Sequence, residues 1–280
     1  LVGSEMCIRD RFAYSIQGMA FAPPEKPGYD QKHAIFVDTT DGNKIACMLI
    51  SPQDIQCEDQ PRDLILYSHG NAEDMGGAHS FARWVCEETG CHVLMYDYVN
   101  YGHSSAGLMS EAAMYTAIDA VYTYACTQKH TVYKDMFIMG RSLGTTASVY
   151  LASRLGKSEG RPFKGLILQS PIASGFRVVC SGQSHMPDAL CEMMDRVFCP
   201  VSQEIKLLKE PVFIIHGVDD TVVNISNAHY VQANIPKMSQ WPPLYVTAGH
   251  NDIEVLHPDI YLSHLKLFLH WCKTKTFANV

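Results

Sequence analysis

Four short stretches of this 280-residue chain hold residue types that could cooperate in nucleophilic catalysis. The first is Gly140-Arg141-Ser142-Leu143-Gly144. It follows the apolar run Met136-Phe137-Ile138-Met139 and precedes residues 145–155, where Ala147, Tyr150, Leu151 and Leu155 recur at helical spacing. A serine between two glycines, in a turn from strand to helix, is the arrangement that exposes a hydroxyl nucleophile. The tight turn strains the serine backbone, and glycine two positions away on either side removes side chains that would collide with it. The emerging helix aims backbone N–H groups and the positive end of its dipole at Ser142, where an oxyanion would form. Alone, the pentapeptide describes a Gly/Ser-rich turn equally well.

A nucleophilic serine needs a base and an orienting acid. Residues 212–217 read as a strand, and the loop after it carries Asp219 and Asp220. The pattern G-x-x-D-x-x-V is met by Gly217, Asp220 and Val223, which favours Asp220 over its neighbour Asp219. Residues 244–247 read as the last strand, followed directly by Ala248-Gly249-His250-Asn251-Asp252. Both loops lie past strand ends, where parallel sheets place their chemistry. His250 would take the Ser142 proton and later deliver it to the leaving group, while the aspartate fixes its tautomer. The fourth stretch, Ser68-His69-Gly70-Asn71-Ala72, again ends a strand. It would supply one oxyanion N–H from Asn71, with a second from Leu143. His69-Gly70 by itself would be an ordinary strand-ending turn; the weight comes from four pieces in the Ser, Asp, His chain order.

The elements that must position these residues alternate. Strands are expected at 34–38, 44–50, 63–67, 92–96, 136–139, 165–169, 211–215 and 244–247, the first two joined by the hairpin signal Asp41-Gly42. Helices are expected at 81–88, after the Ser110 cap with Met114, Ala117, Ile118, Val121, Tyr122 and Ala125 on one face, and at 145–155, 224–233 and 260–271. Residues 170–209 show no strand. The alternation predicts an α/β fold: a mostly parallel sheet with helices on both faces and a short irregular cap segment.

Composition excludes several classes. Net charge is −7 and no basic cluster exceeds pairs such as Lys273 and Lys275, which argues against nucleic acid. No stretch approaches the roughly 18 uninterrupted apolar residues of a spanning helix. The ten cysteines form no C-x-x-C pair, and Cys47 and Cys126 fall in apolar segments as small hydrophobes, so free thiols in a reducing compartment are expected. Cys180, Cys191 and Cys199 read as pocket lining. The histidines show no H-E-x-x-H, so neither a metal nor a cofactor is expected. Asp97 ends a strand far from the acid loop and reads as a structural hydrogen-bond acceptor. Residues 1–18 read as a remnant or disordered N-terminus and 19–280 as a single domain, with the natural N-terminus missing.

The motifs reach further. Ser68-His69-Gly70-Asn71-Ala72-Glu73-Asp74-Met75-Gly76, Tyr96-Asp97-Tyr98 with Tyr101-Gly102, Ser170-Pro171-Ile172-Ala173-Ser174-Gly175-Phe176-Arg177-Val178 and Ala248-Gly249-His250-Asn251-Asp252-Ile253-Glu254 resemble the protein-depalmitoylating branch of the α/β-hydrolases, the alpha/beta hydrolase domain-containing protein 17 family. Met19-Ala20-Phe21-Ala22-Pro23-Pro24-Glu25 resembles that family's lead-in. The resemblance implies an α/β-hydrolase fold and hydrolysis of S-palmitoyl thioesters on membrane-bound proteins, with Ser142, Asp220 and His250 as the triad. It implies S-acylated protein substrates at a membrane surface and a cytoplasmic chain peripheral to the cytosolic face. Two departures stand out. Arg141 replaces the uncharged polar residue that precedes the nucleophile in animal members, and the family's palmitoylated cysteine-rich N-terminal segment is not in this sequence.

A palmitoyl group needs a long apolar groove beside Ser142. The segment that can cover the site, residues 174–201, is rich in apolar side chains, and Phe176, Met193, Met194 and Phe198 are expected to form the acyl pocket. The plainer expectation is that they pack the segment onto the domain. Two other functions share the scaffold: a carboxylesterase or monoacylglycerol lipase, and a hydrolase fold kept as a non-catalytic binding module.

Overall fold

The computed structural model describes residues 21–53, 62–127, 133–157, 163–179 and 188–275. The expected remnant at 1–18 and the pocket-lining Cys180 lie outside the described residues. Strands β1 (Ile35–Asp38), β2 (Lys44–Ile50), β3 (Leu64–Ser68), β4 (His92–Tyr96), β5 (Met136–Arg141), β6 (Gly165–Gln169), β7 (Val212–Gly217) and β8 (Leu244–Val246) form one sheet in the order β1-β2-β4-β3-β5-β6-β7-β8. β1, β2 and β4 pair antiparallel, and every pairing from β4 to β8 is parallel. β3, β5, β6 and β7 are buried at every residue, as expected of strands covered on both faces.

Helices α1 (Met75–Thr89), α2 (Glu111–Thr127), α3 (Gly144–Leu155), α4 (Gly175–Val179), α5 (Asp188–Met194), α6 (Val201–Glu204), α7 (Ser226–Asn234), α8 (Ile253–Leu256) and α9 (Pro258–Thr274) are the described helices. Two apolar layers result. Leu66, Ile138, Leu168 and Ile214 pack with α2 and α3 on one face, while Ile65, Phe137, Ile167 and Phe213 pack with α1 and α9 on the other. None of the described helices is long and apolar enough to cross a membrane.

The structure corrects several expectations. α1 begins six residues before the expected position 81, because Asp74 caps it by accepting the Gly77 N–H at 3.0 Å. Its opening Gly76-Gly77 carries no apolar signal and conceals that turn. Glycine is needed at 76, since a Cβ there would meet the Gly28 carbonyl carbon at 2.4 Å. α2 buries the expected face and takes its cap from Ser110, whose Oγ accepts the Ala113 N–H. Cys126, however, is exposed: it stands one position beyond buried Ala125 and is turned about 100° away from the core. The described residues of the segment expected to be irregular include the short helices α4, α5 and α6.

The lead-in is bound to the rest of the domain. The Ala22 N–H donates to Asn71 Oδ1 at 3.0 Å and the Gly28 N–H to Asp74 Oδ2 at 2.6 Å. The Tyr29 hydroxyl donates to Asp97 Oδ2, and Phe21 meets Phe198 edge to face at 6.0 Å.

Candidate active site

β5 ends and α3 begins on either side of Ser142, which holds a left-handed backbone, φ 51°. That conformation is costly for a non-glycine residue and persists only where the surroundings impose it. The surroundings are the two glycines. A Cβ on Gly140 would lie 2.5 Å from the Gly144 carbonyl oxygen, and one on Gly144 would lie 2.1 Å from the Ser68 carbonyl oxygen. The glycines thus let α3 close against β5 and against the end of β3. They do not mainly clear space for Ser142 itself, as the sequence suggested.

That packing draws the stretch after β3 up to Ser142. A Cβ on Gly70 would stand 3.9 Å from Ser142 Cβ. The Gly70 N–H donates to Glu73 Oε1 at 2.7 Å. Asn71 Oδ1 accepts from the Tyr101 hydroxyl at 2.7 Å as well as from Ala22. Leu143 is the N-cap residue of α3, next to Ser142.

The loops after β7 and β8 meet on the other side. Gly217 permits close approach, because a Cβ there would lie 2.3 Å from the Ala248 oxygen. The Asp219 N–H donates to that same oxygen at 3.0 Å, so the loops are tied together by backbone. His250 Nδ1 lies 2.6 Å from Asp220 Oδ2, and its Nε2 lies 3.1 Å from Ser142 Oγ. A carboxylate is an acceptor only, so Nδ1 carries the proton and the Nε2 lone pair faces the hydroxyl. Asp220 Oδ1 accepts from the Val222 and Val223 N–H groups at 2.9 and 2.8 Å. Burial pushes the Asp220 carboxyl up, but the His250 bond, the Val223 N–H and the neighbouring imidazoles outweigh it and hold the group below the ordinary carboxylate range. Asp219 is exposed. The serine, the histidine and Asp220 are therefore one hydrogen-bonded row, 108 and 30 residues apart in sequence.

Some neighbours were not singled out from sequence. His216, fully buried at the end of β7, donates from Nε2 to the Val223 carbonyl at 2.8 Å and lies 3.4 Å from Asp220 Oδ2. Burial holds it below the usual histidine range, so it stays neutral beside the acid. The signal was there in His216-Gly217, directly before the acid loop. Asp97 has the structural role expected of it, accepting the Met75 N–H at 2.7 Å.

The four residues expected to line an acyl pocket occupy different environments. Phe198 is 4% exposed and belongs to the core, its ring filling the space above Gly175, where a Cβ would lie 2.2 Å from it. Met193 is 58% exposed, and Phe176 and Met194 are half-buried. Phe198 is drawn inward because buried Asp195 anchors its strand of chain: Arg177 Nε donates to both Asp195 oxygens, at 2.9 and 2.8 Å, and Ser174 Oγ donates to Oδ1 at 2.6 Å. Cys199 is likewise a core residue, and Cys191 is half-buried. Among the described residues no His, Cys, Asp and Glu side chains gather as a metal-binding group.

The family model described as serine aminopeptidase, S33, matches residues 59–198. Alpha/beta hydrolase domain-containing protein 17B of Xenopus tropicalis is 34% identical over 236 residues, covering 82% of this chain and 73% of that relative. Alpha/beta hydrolase domain-containing protein 17C of Mus musculus is 33% identical over 241 residues, covering 86% of this chain and 68% of its own length. Among solved structures, the esterase Pf2001 of Pyrococcus furiosus superposes with a TM-score of 0.69 at 17% identity, covering 89% of this chain and 96% of the esterase. Est1E from Butyrivibrio proteoclasticus, solved with ferulic acid bound, gives a TM-score of 0.67 at 20% identity, over 86% of this chain and 100% of that one. These structures share the fold.

Proposed function

The chain belongs to the alpha/beta hydrolase domain-containing protein 17 family of α/β-superfamily hydrolases, and from that premise we propose that it is a serine hydrolase releasing S-acyl chains from protein cysteines. The observation that carries the reading is the hydrogen-bonded row from Ser142 through His250 to Asp220.

In this reading Ser142 Oγ attacks the thioester carbonyl carbon while His250 Nε2 takes its proton. The tetrahedral oxyanion is met by the Asn71 and Leu143 N–H groups at the positive end of α3. The C–S bond breaks, His250 returns the proton to the departing cysteine thiolate, and an acyl ester on Ser142 remains. Water, deprotonated by His250, then attacks that ester. It frees the fatty acid and restores Ser142, so that thioester and water give acid and thiol. Asp220 stays ionised throughout, fixing the imidazole tautomer and stabilising its charged form.

Exposed aliphatic side chains support a lipidated substrate at a membrane surface. Val218 and Val222 on the acid loop, and Val255, Leu256 and Ile260 just after the base, are all exposed. Such side chains flanking a polar centre suit contact with acyl chains or a bilayer surface. The acyl chain runs past α4 and α5, where Phe176 and Met194 are half-buried.

The test uses the purified chain with a palmitoyl-cysteine peptide, a monoacylglycerol and a fluorophosphonate probe. We expect the thioester to be the faster substrate, and Ser142→Ala to lose both labelling and turnover. Faster oxyester cleavage would move the protein to the carboxylesterase class. Unchanged labelling of Ser142→Ala would remove the serine mechanism altogether.

A further inference from the structure

Arg141 immediately precedes the nucleophile, yet its side chain is buried, only 10% exposed. A buried guanidinium must be paired, and this one is paired across the active site. Nη1 donates to Glu254 Oε1 at 3.1 Å and Nη2 to Asn251 Oδ1 at 3.3 Å. The group also lies 5.9 Å above the Phe81 ring of α1. Asn251 is the residue after His250, and Glu254 sits in α8 three residues further on. Both partners therefore belong to the stretch that carries the base. Glu254 is held in turn: its other oxygen accepts from Gln169 Nε2 at 3.0 Å, and Gln169 Oε1 accepts from the Tyr261 hydroxyl at 2.8 Å. A continuous polar chain thus runs from β5 through α8 and the end of β6 to α9.

We infer that Arg141 is a positioning residue: resting on the assignment of Ser142 and His250 as nucleophile and base, its guanidinium clamps the base-bearing loop to the nucleophile elbow and sets the 3.1 Å gap between them. The alternative, a purely stabilising ion pair, is poorly suited to this place, since buried ion pairs are weak sources of stability compared with apolar packing. What a planar guanidinium supplies is two donors in a rigid fork. That fork grips two separate residues of the one stretch after β8, Asn251 in the loop and Glu254 in α8, which a lysine ammonium cannot reproduce.

The experiment compares Arg141→Gln, Glu254→Gln and the double variant with wild type and Ser142→Ala, measuring kcat and KM on a palmitoyl thioester, fluorophosphonate labelling rate and melting temperature. A displacement of about 1 Å costs on the order of 10²-fold, so each single variant should lose about 10- to 10²-fold in kcat and labelling rate with KM nearly unchanged. The double variant should be no worse than the poorer single, because both remove one clamp. Arg141→Lys should recover activity only in part. Asn251 is exposed, so Asn251→Ala keeps the fold and should still lower kcat by several-fold if Arg141→Gln does not fold. Wild-type kcat in folded Arg141→Gln or Asn251→Ala, or a loss matching only the fraction unfolded, would overturn the clamp while a dead Ser142→Ala leaves the proposed function standing. Turnover by Ser142→Ala would remove both.

Discussion

Replacing Asp220 by asparagine exchanges one oxygen for an NH₂ group and should nearly silence the enzyme, for a reason visible in its hydrogen bonds. Oδ1 accepts two backbone N–H groups, from Val222 at 2.9 Å and Val223 at 2.8 Å. In the Asp220→Asn variant the amide oxygen must keep that seat, since an NH₂ there would face two donors. The NH₂ is then turned toward His250 Nδ1, 2.6 Å away, and donates to it. His250 is thereby driven to the other tautomer, with its proton on Nε2, and can no longer accept from Ser142 Oγ. The same substitution in a serine protease costs on the order of 10⁴ in kcat, or about 5.4 kcal/mol at the transition state, and the geometry here calls for a similar loss. Asp219 provides the control. It is exposed, and its bond to the neighbouring loop is made by its backbone N–H, which Asp219→Asn retains. That variant should stay within about twofold of wild type, as surface substitutions usually perturb little. The assay is steady-state hydrolysis of a palmitoyl thioester, with circular dichroism to confirm that both proteins are folded. An Asp220→Asn enzyme within tenfold of wild type, or an Asp219→Asn enzyme that is the poorer of the two, would refute the tautomer argument.

Two further outcomes follow, one from burial and one from the hydrogen bonds of Asp220. Phe198→Ala should lower unfolding free energy by about 3–5 kcal/mol, read from a urea midpoint with unchanged slope, whereas Met193→Ala, at a side chain 58% exposed, should shift it by less than about 0.5 kcal/mol. Equal shifts would mean that Phe198 is not a core residue. The depressed Asp220 carboxyl stabilises the fold fully above the ordinary aspartate pKa near 3.8, and this contribution is lost as pH falls through the lower folded value. Asp220→Asn should therefore flatten the acid limb of a stability–pH curve below about pH 4, and an unchanged limb would count against the assigned pairing.

Much of this was legible in the chain because the signals are local. Strand, G-x-S-x-G and helix read as one turn, and the two later strands each announce the loop that follows. What the sequence could not show is side chains meeting across the fold. Arg141 and Glu254 are 113 residues apart, and nothing around either indicates the other. His216 stood in plain view, but its contact with Asp220 depends on how the acid loop folds back through Val223. Phe198 looked like pocket lining because its apolar neighbours were read as one wall. The pair between half-buried Arg177 and buried Asp195 turns that stretch so that Phe198 points into the core while Met193 faces out. The first turn of α1 was lost to its glycines, of which Gly76 lets Gly28 of the lead-in come close.

The lead-in also bears on how the molecule is assembled in time. Residues 21–29 leave the ribosome before the partners that hold them: Asn71 and Tyr101 for Ala22, 49 and 79 residues on, Asp74 for Gly28, 46 residues on, and Asp97 for Tyr29, 68 residues on. Contacts of such span close only after the intervening chain has paid its loop entropy, so they form late in folding. Phe21 waits longest, for Phe198. The side chain of Asn71 is gripped by this stretch, so it gains its final hold only when these earlier-made residues dock. A nascent chain can thus hold a complete sheet and a formed elbow while the Asn71 side chain still waits for Ala22.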